Sequence, residues 1–183
     1  GVTDILGLDL AGTIAAVGAS VTRWSVGDVV CALVAGGSYA EYCAVPEPQC
    51  LPAPDGLSIE EAASLPEVFF TAWTNVFDRG GLCEGEVLFV QGGTSGVGLA
   101  AIQMAKVLRK AVVAATVGDS EKRDYCLRYG ADHVFNYKTE DWAAKVAEAT
   151  GGVDVILDSQ AGDYLAPELA LLRLEGRLVM IAT

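Results

Sequence analysis

A glycine-rich segment is the part of this sequence whose residue types and spacing most directly indicate chemistry. The residues from Gly92 to Gly98 are GGTSGVG, between an apolar run at 87–90 and a helix-like segment that begins at Val97. Glycines at the start of a helix let phosphate oxygens approach backbone amides, and the helix dipole adds to the attraction. A phosphate-binding turn is one interpretation, and a merely packed turn is the other.

The spacing of the glycines excludes one common phosphate loop. A nucleoside triphosphatase loop needs Lys and then Ser or Thr after its last glycine, whereas Gly98 is followed by Leu99 and Ala100. The strict G-x-G-x-x-G pattern is also absent, but its parts are present around Gly96. We predict a pyrophosphate-binding turn, with helix amides at its end facing the ligand, formed by Gly92, Gly93, Thr94, Ser95, Gly96, Val97 and Gly98. The amides concerned are those of Val97 and Gly98.

Cofactor selectivity is expected at the end of the next strand, about 20 residues past the glycines. Asp119 could accept hydrogen bonds from a ribose diol, and Lys122 could bind a 2′-phosphate. Asp119 is equally well placed to cap a helix that begins at Ser120, and Lys122 could be an ordinary surface charge. Asp158 ends a later strand on the same side of the sheet, and it could be a ligand group or a cap for the following loop.

The elements that must position these residues alternate between strand and helix after Gly80. Strands are predicted near 87–90, 112–116, 133–135, 153–157 and 177–181, and helices near 97–108, 120–129, 141–149 and 165–172. Apolar strands that alternate with helices predict a parallel sheet covered on both faces. The fold class is therefore α/β, a Rossmann-type doubly wound sheet.

The first part of the chain has a different pattern. Short apolar segments bounded by glycines at 10–18 and 27–37 predict strands, and 38–45 alternates its side chains with period two, which predicts another. Ser58 and Glu61 have the spacing of a capping box, which predicts the start of a helix. Pro66 should break or restart that helix, and the aromatic residues after it have the spacing of a core-facing helix.

The chain is therefore expected to contain part of an all-β domain, residues 1–73, followed by the α/β domain, residues 74–183. The net charge of -12 argues against nucleic acid or an anionic membrane as a partner. The five cysteines are scattered and never form C-x-x-C, which suits neither a disulfide framework nor a zinc cluster. We predict a cytoplasmic protein that binds no membrane.

Six motifs together resemble a known family: GLDLAGTIAAVG, VGDVVCAL, YAEYCAVP, LPEVFFTAWTNVF, GGTSGVGLAAIQMAK and EKRDYCLRYGADHVFNY. Over nearly its whole length the chain is similar to the zinc-free quinone oxidoreductases of the medium-chain dehydrogenase/reductase superfamily, especially the p53-inducible quinone oxidoreductase-like branch. The resemblance implies part of a GroES-like catalytic domain joined to a Rossmann domain, with NADPH in the cleft and a homodimer. It also implies further segments before Gly1 and after Thr183, so that we expect an internal fragment.

The resemblance assigns roles to single residues. The turn from Gly92 to Gly98 matches the pyrophosphate loop, and Thr71 matches a threonine near the nicotinamide. Lys122 matches a lysine that pairs with the 2′-phosphate, and Tyr137 matches a tyrosine beside that phosphate. These matches favour NADPH. Asp119 stands where relatives commonly have Ser, so NADH stays an alternative.

The implied reaction is hydride transfer from the nicotinamide to a quinone or another conjugated carbonyl, without zinc. Zinc-dependent relatives have Gly-His-Glu where this chain has Gly7, Leu8 and Asp9. The single histidine, His133, is expected to be structural, and no metal is predicted. No catalytic residue is identified. The alternatives are a 2-enoyl or 2-alkenal reductase and a non-catalytic NADPH-binding protein.

Overall fold

The computed structural model describes residues 4–181, which form two compact units that divide between Phe70 and Thr71. The first unit contains a small antiparallel sheet, and the second contains a larger parallel sheet with helices. The sequence places the boundary a little later, after residue 73. Within the described range, no helix is long and apolar enough to cross a membrane.

Three strands form the sheet of the first unit. They are β1 (Asp9–Thr13), β2 (Val29–Leu33) and β3 (Cys50–Pro52), paired antiparallel in that order. The register sets Asp9 opposite Leu33 and Ala32 opposite Cys50. The middle of β2 is buried because it is the central strand. Both glycine-bounded segments therefore contain strands, as predicted.

The predicted capping box begins helix α1 (Ile59–Ala63). The hydroxyl of Ser58 accepts from the Glu61 N–H at 3.2 Å, and the Glu61 carboxylate accepts from the Ser58 N–H at 2.8 Å. A second helix, α2 (Pro66–Ala72), restarts at Pro66 because proline is tolerated in a first helical turn. A π-helical segment, Trp73–Arg79, continues it. Of the apolar side chains in this segment, Val76 and Phe77 are buried, whereas Trp73 is 44% exposed.

The segment 38–45 is not a strand, and this prediction is wrong. The Tyr39 N–H donates to the carbonyl of Leu6 at 3.0 Å, and the Tyr39 and Tyr42 side chains are 78% and 79% exposed. A strand needs a neighbouring strand for its amides and carbonyls. None of the described strands pairs with this segment, so alternation of side chains is not sufficient to make it a strand.

Five parallel strands and four helices form most of the second unit. In chain order they are β4 (Val87–Val90), α3 (Gly96–Arg109), β5 (Val112–Val117), α4 (Ser120–Arg128), β6 (His133–Asn136), α5 (Trp142–Thr150), β7 (Val153–Asp158), α6 (Leu165–Leu171) and β8 (Leu172–Met180). The strand order is β6-β5-β4-β7-β8, with every pair parallel. This order confirms the Rossmann-type sheet.

The sheet changes its direction of growth between β4 and β7. The chain builds outward from β4 through β5 to β6, and then returns to place β7 on the other side of β4. In open sheets of this kind, ligands bind outside the carboxyl ends of the strands at this switch point. The glycine loop follows β4 directly and therefore lies at that edge.

The last strand begins five residues before the predicted start at residue 177. Leu172 already pairs with Val153, and Arg177 pairs with Val155, so the ladder contains a register shift. Glu175 has a φ of 64°, a left-handed conformation typical of turns. Residues 173–176, between Leu172 and Arg177, therefore include a turn-like conformation, although β8 continues through them as a bulge.

Candidate functional site

The glycine loop, residues 92–98, is held as a tight turn at the carboxyl end of β4. Gly92 has a φ of 82°, and its N–H donates to Thr116 Oγ1 at 3.1 Å. The Gly93 N–H donates to the Thr116 carbonyl at 2.9 Å. The N–H and the hydroxyl of Ser95 both donate to the Gly92 carbonyl, at 3.1 and 2.9 Å. The turn is therefore fixed by β5 and by its own Ser95.

Ser95 also caps helix α3. Its hydroxyl accepts from the Gly98 N–H at 3.0 Å, and its carbonyl accepts from the Leu99 N–H at 2.8 Å. The Gly98 amide is thus used within the protein, and its contact with a ligand stays a prediction that this bond does not favour. Three amides at the helix start have no acceptor in the described part of the chain, and these belong to Thr94, Gly96 and Val97.

Two glycines of the loop are required by packing. A Cβ on Gly93 would lie 2.9 Å from both Ala115 Cβ and Cys126 Sγ. A Cβ on Gly98 would lie 2.5 Å from the Gly92 carbonyl oxygen. Burial raises the pKa of the Cys126 thiol to about 11, so it is a neutral packing group under the loop. These contacts draw β5, α4 and the start of α3 together.

Asp119 and Lys122 lie at the end of β5, as predicted. The Asp119 carboxylate caps α4 by accepting from the Lys122 N–H at 2.9 Å, and it lies 3.6 Å from Lys122 Nζ. That N–H, followed by the charges of Lys122 and Lys138, lowers the pKa of Asp119 below its usual value. Asp119 is therefore an N-cap in this structure. One carboxylate oxygen remains beside the lysine, so the diol role stays a prediction.

Tyr137 and Lys138 complete a group of polar side chains around Gly118. A Cβ on Gly118 would lie 3.0 Å from Tyr137 Oη and 3.4 Å from Lys138 Nζ. The Lys138 ammonium lies 5.9 Å from the centre of the Tyr137 ring. The family resemblance predicts Tyr137 at this site, but not Lys138. The signal was available, because Lys138 follows β6 at the same edge as Asp119.

Asp158 is fully buried at the end of β7. Its carboxylate accepts from the Gln160 N–H at 2.7 Å and from the Ala161 N–H at 3.0 Å. This is the capping alternative considered for Asp158, because the backbone of the following turn uses its oxygens. A direct contact with cofactor stays a prediction that the burial of Asp158 does not favour.

Gln91 is a buried polar residue at the switch point that sequence analysis missed. Its Oε1 accepts from the Thr116 hydroxyl, and its carbonyl accepts from the Ser159 hydroxyl at 2.9 Å. Its Nε2 has no acceptor among the described residues although the side chain is 2% exposed. A buried donor without a partner is costly, and such atoms often serve a ligand. Nothing in the local sequence distinguishes this Gln from a surface residue.

Thr71, the residue predicted to lie near a nicotinamide, is in helix α2. Its carbonyl accepts from the Asn75 side-chain amide at 2.8 Å. The position of Thr71 beside a nicotinamide therefore stays a prediction from the family resemblance.

Known protein families match both units of the chain. The alcohol dehydrogenase GroES-like domain matches residues 2–55, and the zinc-binding dehydrogenase domain matches residues 96–183. The two halves belong to the medium-chain dehydrogenase/reductase superfamily. The expected fold class, a Rossmann-type sheet with part of a GroES-like domain, is confirmed.

Relatives within this superfamily have different names. The chain is 34% identical to the quinone oxidoreductase of Mus musculus, with 96% of the chain and 54% of that enzyme aligned. It is 36% identical to highly-reducing polyketide synthase 1 of Aureobasidium melanogenum, with 96% of the chain and 8% of the synthase aligned. The chain therefore spans about half the length of the quinone oxidoreductases that it matches, and a small part of the synthases.

Two solved superfamily structures are similar in fold. The CurK enoyl reductase has a TM-score of 0.90 and 33% identity, with 98% of this chain and 54% of that chain covered. Mycobacterial Rv1454c, complexed with NADPH, has a TM-score of 0.87 and 33% identity, with 97% and 56% covered. A nicotinamide dinucleotide is therefore a ligand of at least one close structural relative.

The superfamily includes zinc-binding dehydrogenases, but the described residues do not fit a zinc ion. Leu8 has no donor atom, and the Asp9 carboxylate accepts from the Glu67 N–H at 2.7 Å. His133 lies in β6 of the other unit, paired with Ala114. Across residues 4–181, no three His, Cys, Asp or Glu side chains converge as metal ligands.

Changing Asp119→Ser should increase the preference for NADPH over NADH by roughly 3- to 10-fold. Serine keeps an N-cap oxygen for the Lys122 N–H and removes the carboxylate that opposes a 2′-phosphate. The ratio of the two dissociation constants, measured by cofactor fluorescence at low and high salt, checks this. Asp141→Ser, at the N-cap of α5, is the matched control and should not change the ratio. An unchanged ratio for Asp119→Ser would refute an electrostatic role.

Proposed function

We propose that the protein is a reductase that transfers hydride from NADPH to an electron-poor conjugated carbonyl, with a quinone as the first candidate acceptor. The observation that supports this most directly is the helix start after β4. There, the amides of Thr94, Gly96 and Val97 have no acceptor among the described residues. Free amides at a helix N-terminus suit a pyrophosphate, and their place at the sheet's switch point is that of a dinucleotide site.

The residues present fit NADPH at a second point as well. Lys122 and Lys138 supply two ammonium groups near the end of β5, and Tyr137 supplies a hydroxyl beside Gly118. A 2′-phosphate carries about two negative charges. Its attraction to these two cations should exceed its repulsion by the single Asp119 carboxylate. NADPH is therefore preferred to NADH in this proposal.

The bound cofactor would supply the hydride from C4 of its nicotinamide. The chain's own residues would bind and orient the cofactor. The glycine loop holds the pyrophosphate through its amides, and the carboxyl edge of β4 and β7 supplies the Nε2 of Gln91 as a further donor. The oxyanion left on the acceptor by hydride addition would take its proton from solvent, and the chain's own part would be to bind and orient the reactants.

The decisive experiment is turnover by the purified protein. With NADPH and an ortho-quinone, we expect loss of NADPH absorbance at a rate that depends on both substrates, and a lower rate with NADH. Tight binding of NADPH without oxidation by any acceptor would favour a non-catalytic cofactor-binding protein. No binding of either cofactor would refute the proposal.

An enoyl or alkenal reductase is the second candidate, and a specific similarity favours it. The chain superposes on the CurK enoyl reductase with a TM-score of 0.90, and it is 36% identical to a polyketide synthase segment. A 2-enoyl thioester and a 2-alkenal belong in the same assay as the quinone. Consumption of NADPH with the thioester but not with the quinone would select this candidate.

The change Lys122→Ala should weaken NADPH binding by about 10-fold and NADH binding much less, because it removes a charge-assisted contact to the 2′-phosphate. Isothermal titration with both cofactors measures the two affinities. Arg128→Ala is the matched control, since it removes one positive charge from the exposed far end of the same helix. Equal weakening of NADPH and NADH by Lys122→Ala would refute the phosphate role.

A further inference from the structure

A buried acid in α6 has no hydrogen-bond partner if it is charged. Glu168 is fully buried, and neither of its carboxylate oxygens accepts a hydrogen bond from the described residues. An ionised carboxylate in such surroundings loses its hydration without compensation. Glu168 must therefore be neutral or must find a partner to which it can donate.

Asp158 is also fully buried, and its carboxylate lies within the electrostatic and hydrogen-bonding reach of Glu168. Two carboxylates cannot hydrogen-bond to each other unless one of them carries a proton. Burial, followed by the negative charge of Asp158 and a hydrogen bond to it, raises the pKa of Glu168 to about 8. Because the carboxylate of Asp158 accepts from the amides of Gln160 and Ala161, which favour its charged form, we assign the proton to Glu168.

The cations of the elements that pack against α6 have acidic partners other than Glu168. Helix α6 packs against α5, β8 and the 3₁₀ turn Gly162–Tyr164. Their titratable side chains are those of Lys145, Glu148, Arg173, Glu175, Arg177, Asp163 and Tyr164. The three cations among them pair with other acids, namely Glu140, Asp154 and Glu86. Of the charged groups, only Asp158 shifts the pKa of Glu168.

The turn that Asp158 caps is joined to the glycine loop. Ser159 follows Asp158, and its hydroxyl donates to the Gln91 carbonyl at 2.9 Å. A Cβ on Gly92 would lie 3.1 Å from Ser159 Oγ, so the two segments are in close contact. Ala161 has a φ of 57°, which an alanine adopts only when its surroundings impose it. The Asp158 cap supplies part of that constraint.

We infer that Glu168 is a positioning residue: as a protonated acid it donates to Asp158 and thereby holds the turn from Asp158 to Ala161 against the glycine loop in the form that binds the dinucleotide. This inference deepens the proposed function and rests on it for its effect on the cofactor. When the proton leaves at alkaline pH, two adjacent carboxylates repel each other inside the protein. The turn then loosens, and the affinity for NADPH falls.

The variant Glu168→Gln tests this, because glutamine can donate to Asp158 and does not titrate. In the wild-type protein, the NADPH dissociation constant should rise about 10-fold between pH about 7 and 9.5, whereas Glu168→Gln should stay flat. Glu168→Leu, which has no donor, should bind weakly at both pH values. Glu148→Gln, an exposed acid in α5, is the matched control and should keep the wild-type profile. An identical pH profile for wild type and Glu168→Gln would overturn the inference.

Two measurements without cofactor separate this inference from the proposed function. Hydrogen exchange of residues 158–165, corrected for its intrinsic pH dependence, should increase at alkaline pH in the wild type and not in Glu168→Gln. Carbon NMR of the labelled Glu168 carboxyl should show titration near pH 8. If NADPH binds to neither protein but both results hold, the cofactor proposal fails and the proton assignment stands. A Glu168 carboxyl that titrates like an exposed glutamate overturns the inference, even if the variant does not fold.

Discussion

Replacing Gly96 with valine should weaken the binding of NADPH and of NADH at least about 100-fold and leave the protein folded. Gly96 is the exposed first residue of α3. Its φ is not positive, so its backbone conformation is compatible with a side chain. Its amide is one of the three that lack an acceptor among the described residues. A valine side chain would cover these amides and prevent a pyrophosphate from reaching them.

The comparison with a second glycine of the loop makes the result specific. Gly98→Ala should lower the free energy of unfolding by about 2–4 kcal/mol, since its Cβ would lie 2.5 Å from the Gly92 carbonyl oxygen. Gly96→Val should change it by less than about 1 kcal/mol. Ala147→Val, an exposed position in the last turn of α5, controls for adding valine to a helix. Isothermal titration gives the affinity, and urea unfolding gives the stability.

Retained affinity in a folded Gly96→Val protein would move the dinucleotide site away from this loop. Loss of folding in the same variant would instead mean that Gly96 serves packing, as Gly93 and Gly98 do. The two outcomes are distinguished by the unfolding curve.

Local signals predicted much of the fold. The apolar run at 87–90, the glycine turn after it and the capping box at Ser58 each depend on residues within one or two turns of the chain, and each is present. The Rossmann-type parallel sheet was predicted from the alternation of strands and helices, whereas the strand order came from the structure. The strand predicted at 38–45 is absent, and β8 begins five residues before its predicted start. Both errors arise because strand formation depends on a partner that is distant in sequence.

The candidate site was predicted in part for the same reason. Asp119, Lys122 and Tyr137 stand at strand ends, where the fold gives their position meaning. Gln91 and Glu168 look like ordinary polar residues in sequence, and only tertiary packing shows that they are buried. The use of the Gly98 amide by Ser95 also required the three-dimensional structure of the cap.

The change Glu168→Gln should make the protein more stable at neutral pH, by up to about 3 kcal/mol in the free energy of unfolding. The pKa of Glu168 is raised from 4.5 to about 8 in the folded protein, so the folded state binds more protons than the unfolded chain between these values. Wild-type stability from this group is therefore fully present below pH 4.5, is lost progressively as the pH rises to 8, and changes little above that. Glutamine does not titrate and avoids the loss.

Urea unfolding of wild type and Glu168→Gln at a series of pH values measures this difference. The two proteins should be nearly equal in stability near the ordinary glutamate pKa, and should diverge as the pH rises toward 8. Glu148→Gln should follow the wild type, because that acid is exposed in both states. A glutamine variant that is less stable than wild type at every pH would mean that Asp158 and Glu168 do not share a proton. A buried acid that lowers the free energy of unfolding at neutral pH does not serve folding. A confirmed difference would therefore support a role for Glu168 in holding the turn beside the glycine loop.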